Sequence, residues 1–175
     1  FSCSDKTSGK KQLNSNAEIL VHDNINREYL LHVPSSYDGN TAVPVVFNFH
    51  GYGGTASDHL NTADMRSLAD TKNFILVYPQ GSLLDGYSHW NSAVDSSSNK
   101  SSSDDIGFVK KIIEQLSSEY NIDSQRVYSC GYSNGAFFTY FLACNTNKLA
   151  AIGSVSGTMM EETYDNCNPS HPTSL

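Results

Sequence analysis

The sequence predicts an α/β fold, in which a mostly parallel sheet carries helices on both faces. Three observations support this prediction. Strand-like and helix-like segments alternate from residue 45 to residue 155, as they do where crossover helices join parallel strands. Residues 45–49 and 74–78 are near-continuous apolar runs, which are typical of strands covered on both faces. Glycine-rich turns follow two of the predicted strands, at the sheet edge where ligands bind in such folds.

Length and composition are consistent with one domain that has a substantial core. The chain has 175 residues, of which 38% are hydrophobic and 11% aromatic. Its net charge is −7 and it contains no run of basic residues, so the composition argues against nucleic acid as a partner. No apolar segment approaches the roughly 20 residues that a membrane-spanning helix needs.

The first half of the chain is predicted to contain four strands. Residues 1–16 are polar and are interpreted as a flexible N-terminal tail, and residues 17–175 as the folded domain. Between the last two of these strands, Ser57 is expected to cap a single helix whose apolar stripe runs to Ala69. The strands are predicted at residues 18–21, 27–33, 45–49 and 74–78.

A long polar loop and a second set of alternating elements make up the rest of the chain. Residues 80–103 are rich in Ser, Asp and Asn and contain the only tryptophan, Trp90. Ser103 is expected to cap the next helix, with Asp104 and Asp105 at its start, where acidic side chains complement the helix dipole. The remaining pattern predicts a strand at residues 127–130, a helix, a strand at residues 150–155 and a terminal loop.

Residues 131–135 read Gly-Tyr-Ser-Asn-Gly and lie between a predicted strand and a predicted helix. The pattern G-x-S-x-G in this context is the nucleophile elbow of serine hydrolases. A sharp turn gives the serine strained dihedral angles, and the flanking glycines allow the strand and the helix to approach closely. The sequence therefore predicts Ser133 as a catalytic nucleophile. The alternative is a glycine-rich turn without a chemical role.

Residues 50–54 read His-Gly-Tyr-Gly-Gly and follow a predicted buried strand. Such a loop provides one N–H group of an oxyanion hole, and the residue after the nucleophile provides the other. We assign these roles to the N–H groups of Tyr52 and Asn134. A phosphate-binding turn is the alternative, but the segment lacks the Lys-Ser/Thr of a P-loop. His50 is interpreted as a structural residue that shapes the loop rather than as a general base.

Several unlike motifs, taken in order, make the chain similar to a known family. It resembles the polyhydroxybutyrate-depolymerase-like esterases, which include feruloyl and acetylxylan esterases of carbohydrate esterase family 1. The resemblance implies an α/β-hydrolase fold and a secreted or cell-envelope serine esterase without a cofactor or metal. Its substrates would be polyesters or plant cell-wall esters, such as polyhydroxybutyrate, feruloyl xylan or acetyl xylan. The matching segments are residues 27–34, 48–54, 77–81, 104–109, 126–128 and 131–136.

The resemblance also implies roles for individual residues. It supports a disulfide bond between Cys144 and Cys167, which would pin a polar loop to a helix end in an oxidising compartment. It supports a substrate-facing position for Trp90, and the neighbouring His89 could line the same cleft or be a solvated loop residue. Cys3 could be the lipidated N-terminal cysteine of a bacterial lipoprotein or an ordinary cysteine in the tail.

The catalytic acid and base of that family have no clear counterpart in this sequence. In the family they follow the nucleophile, as an aspartate in a His-Gly-Thr-x-Asp-like segment and then a late histidine. The sequence ends at Leu175 before either motif, and His171 is the only histidine after Ser133. We therefore expect a domain that is incomplete at the C-terminus, lacks the last strands of the sheet and is a feeble catalyst on its own.

Two other functions are compatible with the same residues. A non-catalytic carbohydrate- or polymer-binding protein on a hydrolase scaffold would use Trp90 and surface tyrosines as stacking platforms. A serine peptidase would share the nucleophile, since the sequence does not reveal the leaving group. Asp104 and Asp105 are interpreted as helix-capping residues rather than as a catalytic pair of acids.

Overall fold

The computed structural model describes residues 16–93 and 100–169. Within these ranges the strands are β1 (Asn16–His22), β2 (Ile25–His32), β3 (Val43–Phe49), β4 (Ile75–Pro79), β5 (Ser82–Leu84), β6 (Tyr87–His89), β7 (Ile122–Tyr132) and β8 (Ala151–Val155). The helices are α1 (Ala56–Thr62), α2 (Arg66–Lys72), α3 (Asp105–Glu119), α4 (Asn134–Asn145) and α5 (Glu161–Asp165).

Six of the strands form one sheet in the order β1-β2-β4-β3-β7-β8. The neighbours β1, β2 and β4 pair antiparallel, whereas β4, β3, β7 and β8 pair parallel. Helices α1 and α2 connect β3 to β4, and α4 connects β7 to β8. The predicted mostly parallel sheet is confirmed, and its carboxyl edge carries both glycine-rich turns.

Helices cover both faces of this sheet. Because side chains alternate along each strand, one strand contributes to the core on either face. Val45, Phe47 and Phe49 of β3 are fully buried in a core that they share with apolar residues of α3 and α4. Val46 packs on the opposite face, against a smaller core formed by α1, α2 and β4. The apolar run at residues 45–49 therefore contributes to two cores at once.

The single helix predicted to begin at Ser57 is two helices, α1 and α2. Thr55, and not Ser57, caps α1, because its Oγ1 accepts a hydrogen bond from the N–H group three residues later. The hydroxyl of Tyr78 holds the break between the helices. It donates to Ala63 O at 2.6 Å and accepts from Met65 N–H at 3.1 Å.

The loop predicted at residues 80–103 contains a β-hairpin. β5 and β6 pair antiparallel around a two-residue turn, in which Asp85 and Gly86 have φ angles of 50° and 85°. An Asp-Gly pair with positive φ at both positions forms the type I′ turn that suits short hairpins. The sequence therefore contained a local signal for this element that the polar composition of the loop obscured.

Asp104, and not Ser103, is the cap of α3. Its Oδ1 accepts a hydrogen bond from Gly107 N–H at 2.8 Å. The capping interpretation is thus confirmed for Asp104 but wrong for Asp105, which is buried and pairs with Arg27 at 2.7 Å. The two neighbouring acids differ because one side chain remains at the surface and the other enters the core.

The predicted boundaries also change near the termini. Asn16, which was assigned to the tail, begins β1, and the helix α5 lies in the segment predicted as a terminal loop. Cys3, most of the predicted tail and His171 lie outside the described residues. In residues 16–93 and 100–169, no helix combines the length and the hydropathy of a bilayer-spanning segment.

Candidate active site

The turn between β7 and α4 has the geometry of a nucleophile elbow. Ser133 lies between the last residue of the strand and the first of the helix, with φ 50° and ψ −116°. This conformation is strained for a residue with a side chain, and such strain is concentrated at functional sites. The turn is held on one side by β8, because Ser133 N–H donates to Val155 O at 2.9 Å.

Two glycines permit this turn because backbone segments meet there. A side chain on Gly131 would overlap the carbonyl group of Gly135. A side chain on Gly135 would overlap the carbonyl groups of Phe49 and His50, at the end of β3. Both glycines of the G-x-S-x-G pattern are therefore required by close packing of the elbow against itself and against the neighbouring strand.

The hydroxyl of Ser133 does not cap the helix that follows it. Ser133 is the N-cap residue of α4, but its side chain makes no capping hydrogen bond, although serine at this position commonly does so. Its carbonyl group instead accepts hydrogen bonds from the N–H groups of Ala136 and Phe137, at 2.9 and 3.0 Å. The helix cap therefore does not occupy the Ser133 hydroxyl.

The glycine-rich loop at residues 50–54 lies directly against the elbow. A Cβ atom on Gly51 would be 3.5 Å from Ser133 Cβ and 3.2 Å from Tyr132 Cδ1. A larger residue at this position would push the loop away from the nucleophile. The two motifs that the sequence singled out are therefore neighbours in the structure.

The β5–β6 hairpin holds the far end of this loop and forms an open cleft with it. Gly53 N–H donates to Ser88 O at 2.7 Å, and Ser88 Oγ donates to Gly54 O. Tyr52 of the loop and Tyr87 of the hairpin are exposed, with ring centroids 5.6 Å apart. A cavity of about 720 Å³ adjoins them, lined by the loop, the hairpin, β2 and the end of β4.

His50 has the structural role that the sequence suggested. The ring is buried, its Nε2 accepts a hydrogen bond from Gly81 N–H at 2.9 Å, and its Nδ1 is 2.7 Å from Gly51 O. These partners assign the proton to Nδ1, which donates to the carbonyl oxygen. Burial lowers the pKa of His50, and this favours the neutral ring that both bonds require.

Trp90 is not substrate-facing, because its side chain is 0% exposed. The expectation of a stacking surface for substrate at this residue is therefore wrong. The indole ring stacks on Phe138 of α4 with centroids 5.2 Å apart, and its Nε1 donates to His50 O at 3.1 Å. Trp90 N–H donates to Asn134 Oδ1 at 2.7 Å, and Asn134 Nδ2 donates to Trp90 O at 3.0 Å. Trp90 thus connects the start of the glycine-rich loop to the first residue of α4.

His89 is buried as well, with 1% of its surface exposed. It therefore does not line an open cleft, and it is not a solvated loop residue. The hairpin packs tightly around it, since a Cβ atom on Gly81 would be 2.5 Å from His89 O. Neither ring nitrogen of His89 has a hydrogen-bond partner among the described residues.

A buried ion pair holds the segment that follows Trp90, and the sequence analysis missed it. Asp105 Oδ1 accepts a hydrogen bond from Arg27 Nη2 at 2.7 Å, and its Oδ2 accepts one from Asn91 N–H at 2.8 Å. Burial raises the pKa of Asp105, and the charge of Arg27 opposes that shift. The arginine and the acid are 78 residues apart, so the only sequence signal was a charged residue within an alternating strand.

The cysteines of the described residues differ in state. The predicted disulfide bond between Cys144, near the end of α4, and Cys167 is present, with an S–S distance of 1.98 Å. Cys130, just before the elbow, is a free thiol. Burial raises the pKa of the Cys130 thiol to about 11, so it does not compete with Ser133 as a nucleophile.

No histidine is hydrogen-bonded to Ser133 within the described residues. Three of the five described histidines bond to Asp or Asn side chains, and the other two are the buried His50 and His89. None of the five described histidines is therefore placed to accept a proton from Ser133.

Sequence comparisons identify relatives of this chain. The profile of the family described as Esterase PHB depolymerase matches residues 28–169. A bifunctional acetylxylan esterase/xylanase from Neocallimastix patriciarum is 34% identical over 132 residues, which are 75% of this chain and 18% of that protein. Feruloyl esterase B from Piromyces equi is 26% identical over 149 residues, which are 83% of this chain and 27% of that protein. The chain thus spans well under half the length of these two relatives.

Solved structures share the fold at low sequence identity. An acetyl xylan esterase from Aspergillus awamori superposes with a TM-score of 0.65 at 20% identity, over 81% of this chain and 53% of its own. A ferulic acid esterase from Anaeromyces mucronatus, in complex with ferulic acid, gives a TM-score of 0.60 at 18% identity. The superposition covers 86% of this chain and 60% of the chain of that esterase. These superpositions confirm the α/β-hydrolase fold. The profile match over residues 28–169, which is most of the chain, shows that this chain belongs to the Esterase PHB depolymerase family.

Proposed function

We propose that this chain carries the nucleophile and the oxyanion hole of a serine carboxylic-ester hydrolase, with Ser133 as the nucleophile. One observation carries the proposal. Ser133 has a positive φ angle at a strand-to-helix turn, and its hydroxyl is not used as a helix cap although it is in the capping position. A serine in a strained conformation, whose hydroxyl does not cap the helix, is the arrangement found at a nucleophile elbow.

The oxyanion hole is assigned to the N–H groups of Tyr52 and Asn134. Asn134 is the first residue of α4, so its N–H group has no partner within the helix and lies at the positive end of the helix dipole. Tyr52 follows Gly51, which adjoins Ser133. Each donor would stabilise the negative charge of the tetrahedral intermediate, and loss of one such donor typically costs about 3 kcal/mol.

The reaction proceeds through an acyl-enzyme. Ser133 Oγ attacks the ester carbonyl carbon while a general base accepts its proton, and the leaving alcohol takes that proton as the ester C–O bond breaks. Water then attacks the acyl-enzyme by the same route and regenerates the serine. We assign the base and its acidic partner to residues outside the described ranges, because every described histidine is buried or bonded elsewhere.

The substrate class follows from the relatives. The relatives named above are acetylxylan and feruloyl esterases, so we assign plant cell-wall esters or a polyester as substrates. The disulfide bond between Cys144 and Cys167 favours a secreted or cell-envelope location. The burial of Trp90 argues against the alternative of a non-catalytic polymer-binding protein, since its main expected stacking surface is absent.

A fluorophosphonate probe tests the nucleophile. The chain is labelled as wild type and as Ser133→Ala. Slow covalent capture at Ser133 in the wild type, and none in Ser133→Ala, is the expected result. Ser156→Ala is a matched control, because Ser156 is exposed and also has a positive φ angle of 56°. Labelling that survives Ser133→Ala would overturn the proposal.

Ester and amide substrates with the same acyl group separate the two hydrolytic alternatives. We expect the protein to hydrolyse p-nitrophenyl acetate and acetylated or feruloylated xylan, and to leave the matched amides intact. Faster cleavage of the amides would assign the site to a serine peptidase instead.

A further inference from the structure

Three potential metal ligands converge where the first hairpin meets the start of α3. His22 Nε2 is 3.1 Å from Asp104 Oδ2 and 3.6 Å from Asp23 Oδ2. The ligand atoms of the three residues all lie within 4.8 Å of one another. Two of these residues are adjacent in sequence, but His22 and Asp104 are 82 residues apart, so a search for short ligand spacings could not detect this group.

The Asp104 carboxylate is held in a fixed orientation by a backbone hydrogen bond. Asp104 Oδ1 is occupied as the cap of α3, since it accepts a hydrogen bond from Gly107 N–H at 2.8 Å. Its Oδ2 therefore points to His22. Asp23 lies in the tight turn between β1 and β2, where its φ angle of 50° is followed by 60° at Asn24. A ligand set with restrained orientations loses little entropy on binding a cation.

The space around the cluster depends on a glycine. A Cβ atom on Gly107 would overlap Asp104 Oδ2 and would be 2.7 Å from His22 Nε2. Any other residue at position 107 would therefore displace the carboxylate or the imidazole ring. The His22 ring is mostly buried, whereas the Asp23 and Asp104 carboxylates are exposed to solvent.

We propose that His22, Asp23 and Asp104 form a binding site for a zinc-type divalent cation. Zinc bonds of about 2.0–2.2 Å in a tetrahedron put neighbouring ligand atoms roughly 3.3–3.6 Å apart, close to the observed 3.1 and 3.6 Å. One imidazole and two carboxylates suit zinc, nickel or copper, whereas calcium and magnesium prefer oxygen ligands only. A water molecule completes the fourth position. The two carboxylate charges neutralise the ion and offset the unfavourable dipole at the start of α3.

The consequence of binding is a cross-link between the β1–β2 hairpin and α3. The next pair along these elements, Arg27 and Asp105, already joins them through a buried ion pair. A bound cation would add a second link between the hairpin and α3, at the protein surface. It would stabilise the folded state, because the unfolded chain does not preorganise the three ligands.

Thermal unfolding of tag-free 175-residue protein tests the site. Zinc chloride at about a hundredfold excess over the dissociation constant should raise Tm by roughly 5 °C or more, with a stoichiometry of one by calorimetry. Calcium and magnesium chloride at the same concentration should leave Tm unchanged. The readout is independent of esterase activity, so its result and that of the fluorophosphonate experiment can be told apart.

The decisive variant is the double substitution Asp23→Asn and Asp104→Asn. Asparagine tolerates the positive φ angle at position 23 and caps helices as well as aspartate does, so the fold is kept while both carboxylates are removed. The zinc-dependent shift should disappear. Asp85→Asn is the matched control, because Asp85 also has a φ angle of 50° in a two-residue hairpin turn, and it should keep the full shift. A shift that persists in the double variant, or no shift in wild type, would refute the site.

Discussion

The elbow at residues 131–135 and the glycine-rich loop at residues 50–54 lie against each other, but they are held in different ways. At the elbow, side chains are absent where backbone segments meet: Gly131 against Gly135, and Gly135 against β3. In the loop, side chains provide the restraint, because His50, Trp90 and Ser88 each hydrogen-bond to its backbone. Steric exclusion fixes the first segment, and polar bonds fix the second.

This difference predicts different responses to mutation. A segment fixed by close packing fails when volume is added, and a segment fixed by hydrogen bonds fails when a donor or acceptor is lost. Trp90 contacts both segments, through Phe138 and Asn134 on one side and through His50 O on the other. Four substitutions, ordered by expected effect, test this comparison.

Trp90→Ala should have the largest effect, because it removes a fully buried ring that packs between the two segments. We expect a loss of about 3–5 kcal/mol in the free energy of unfolding. Chemical denaturation measures it. Trp90→Phe separates the two contributions, since it keeps the ring stacked on Phe138 and leaves only His50 O without its donor. A loss below 1 kcal/mol for Trp90→Ala would show that the segments do not depend on this ring.

Gly135→Ala tests the elbow. The added Cβ would overlap carbonyl groups of β3, so α4 or the strand must shift, at a cost of about 1–3 kcal/mol or more. Gly153→Ala on β8 is a matched control, because its Cβ would meet a neighbouring side-chain atom at 3.3 Å and the edge of the sheet can adjust. Equal losses of stability in the two variants would contradict the steric account of the elbow.

His50→Gln tests the loop. At pH 8 we expect a loss of about 1–3 kcal/mol, because the glutamine amide does not replace both the bond to Gly51 O and the bond from Gly81 N–H. Burial lowers the pKa of His50 below its ordinary value of 6.5, so the unfolded state binds the proton more tightly. Wild-type stability is therefore complete above this value and falls as the pH drops below it.

His50→Gln should also make that acid-side loss smaller. Unfolding curves between pH 5 and pH 8 measure the change. His59 is the necessary comparison, because burial lowers its pKa as well. His59→Gln should remove the remaining part of the stability loss at low pH. An unchanged pH dependence in both single variants would show that neither histidine is responsible.

Ser133→Gly should have the smallest effect, and in the opposite direction. A glycine relieves the strain of φ 50° and ψ −116°, which is worth about 1–3 kcal/mol, but it increases the entropy of the unfolded chain by about 0.5–1 kcal/mol. We expect a net gain in stability of about 1 kcal/mol. Ser133→Ala keeps the Cβ and should show no gain. Destabilisation by Ser133→Gly would indicate that the hydroxyl has a structural bond.

The family resemblance supplied the pairing of Cys144 with Cys167, whereas the sequence by itself determined the alternation of elements and the two glycine-rich turns. Each of these depends on local information: an apolar run predicts a buried strand, and a glycine marks a position where no side chain fits. The strain at Ser133 could also be anticipated, because its tight strand-to-helix context is visible in five consecutive residues.

Only the tertiary structure decided which side chains are buried and which distant residues meet. The resemblance predicts a substrate-facing Trp90, yet this side chain is buried against Phe138. Its backbone N–H bonds to Asn134, which is 44 residues further along the chain. Asp104 and Asp105 are identical and adjacent, but one is exposed beside His22 and the other is buried against Arg27. Burial and long-range pairing are properties of the packed chain, and no local pattern specifies them.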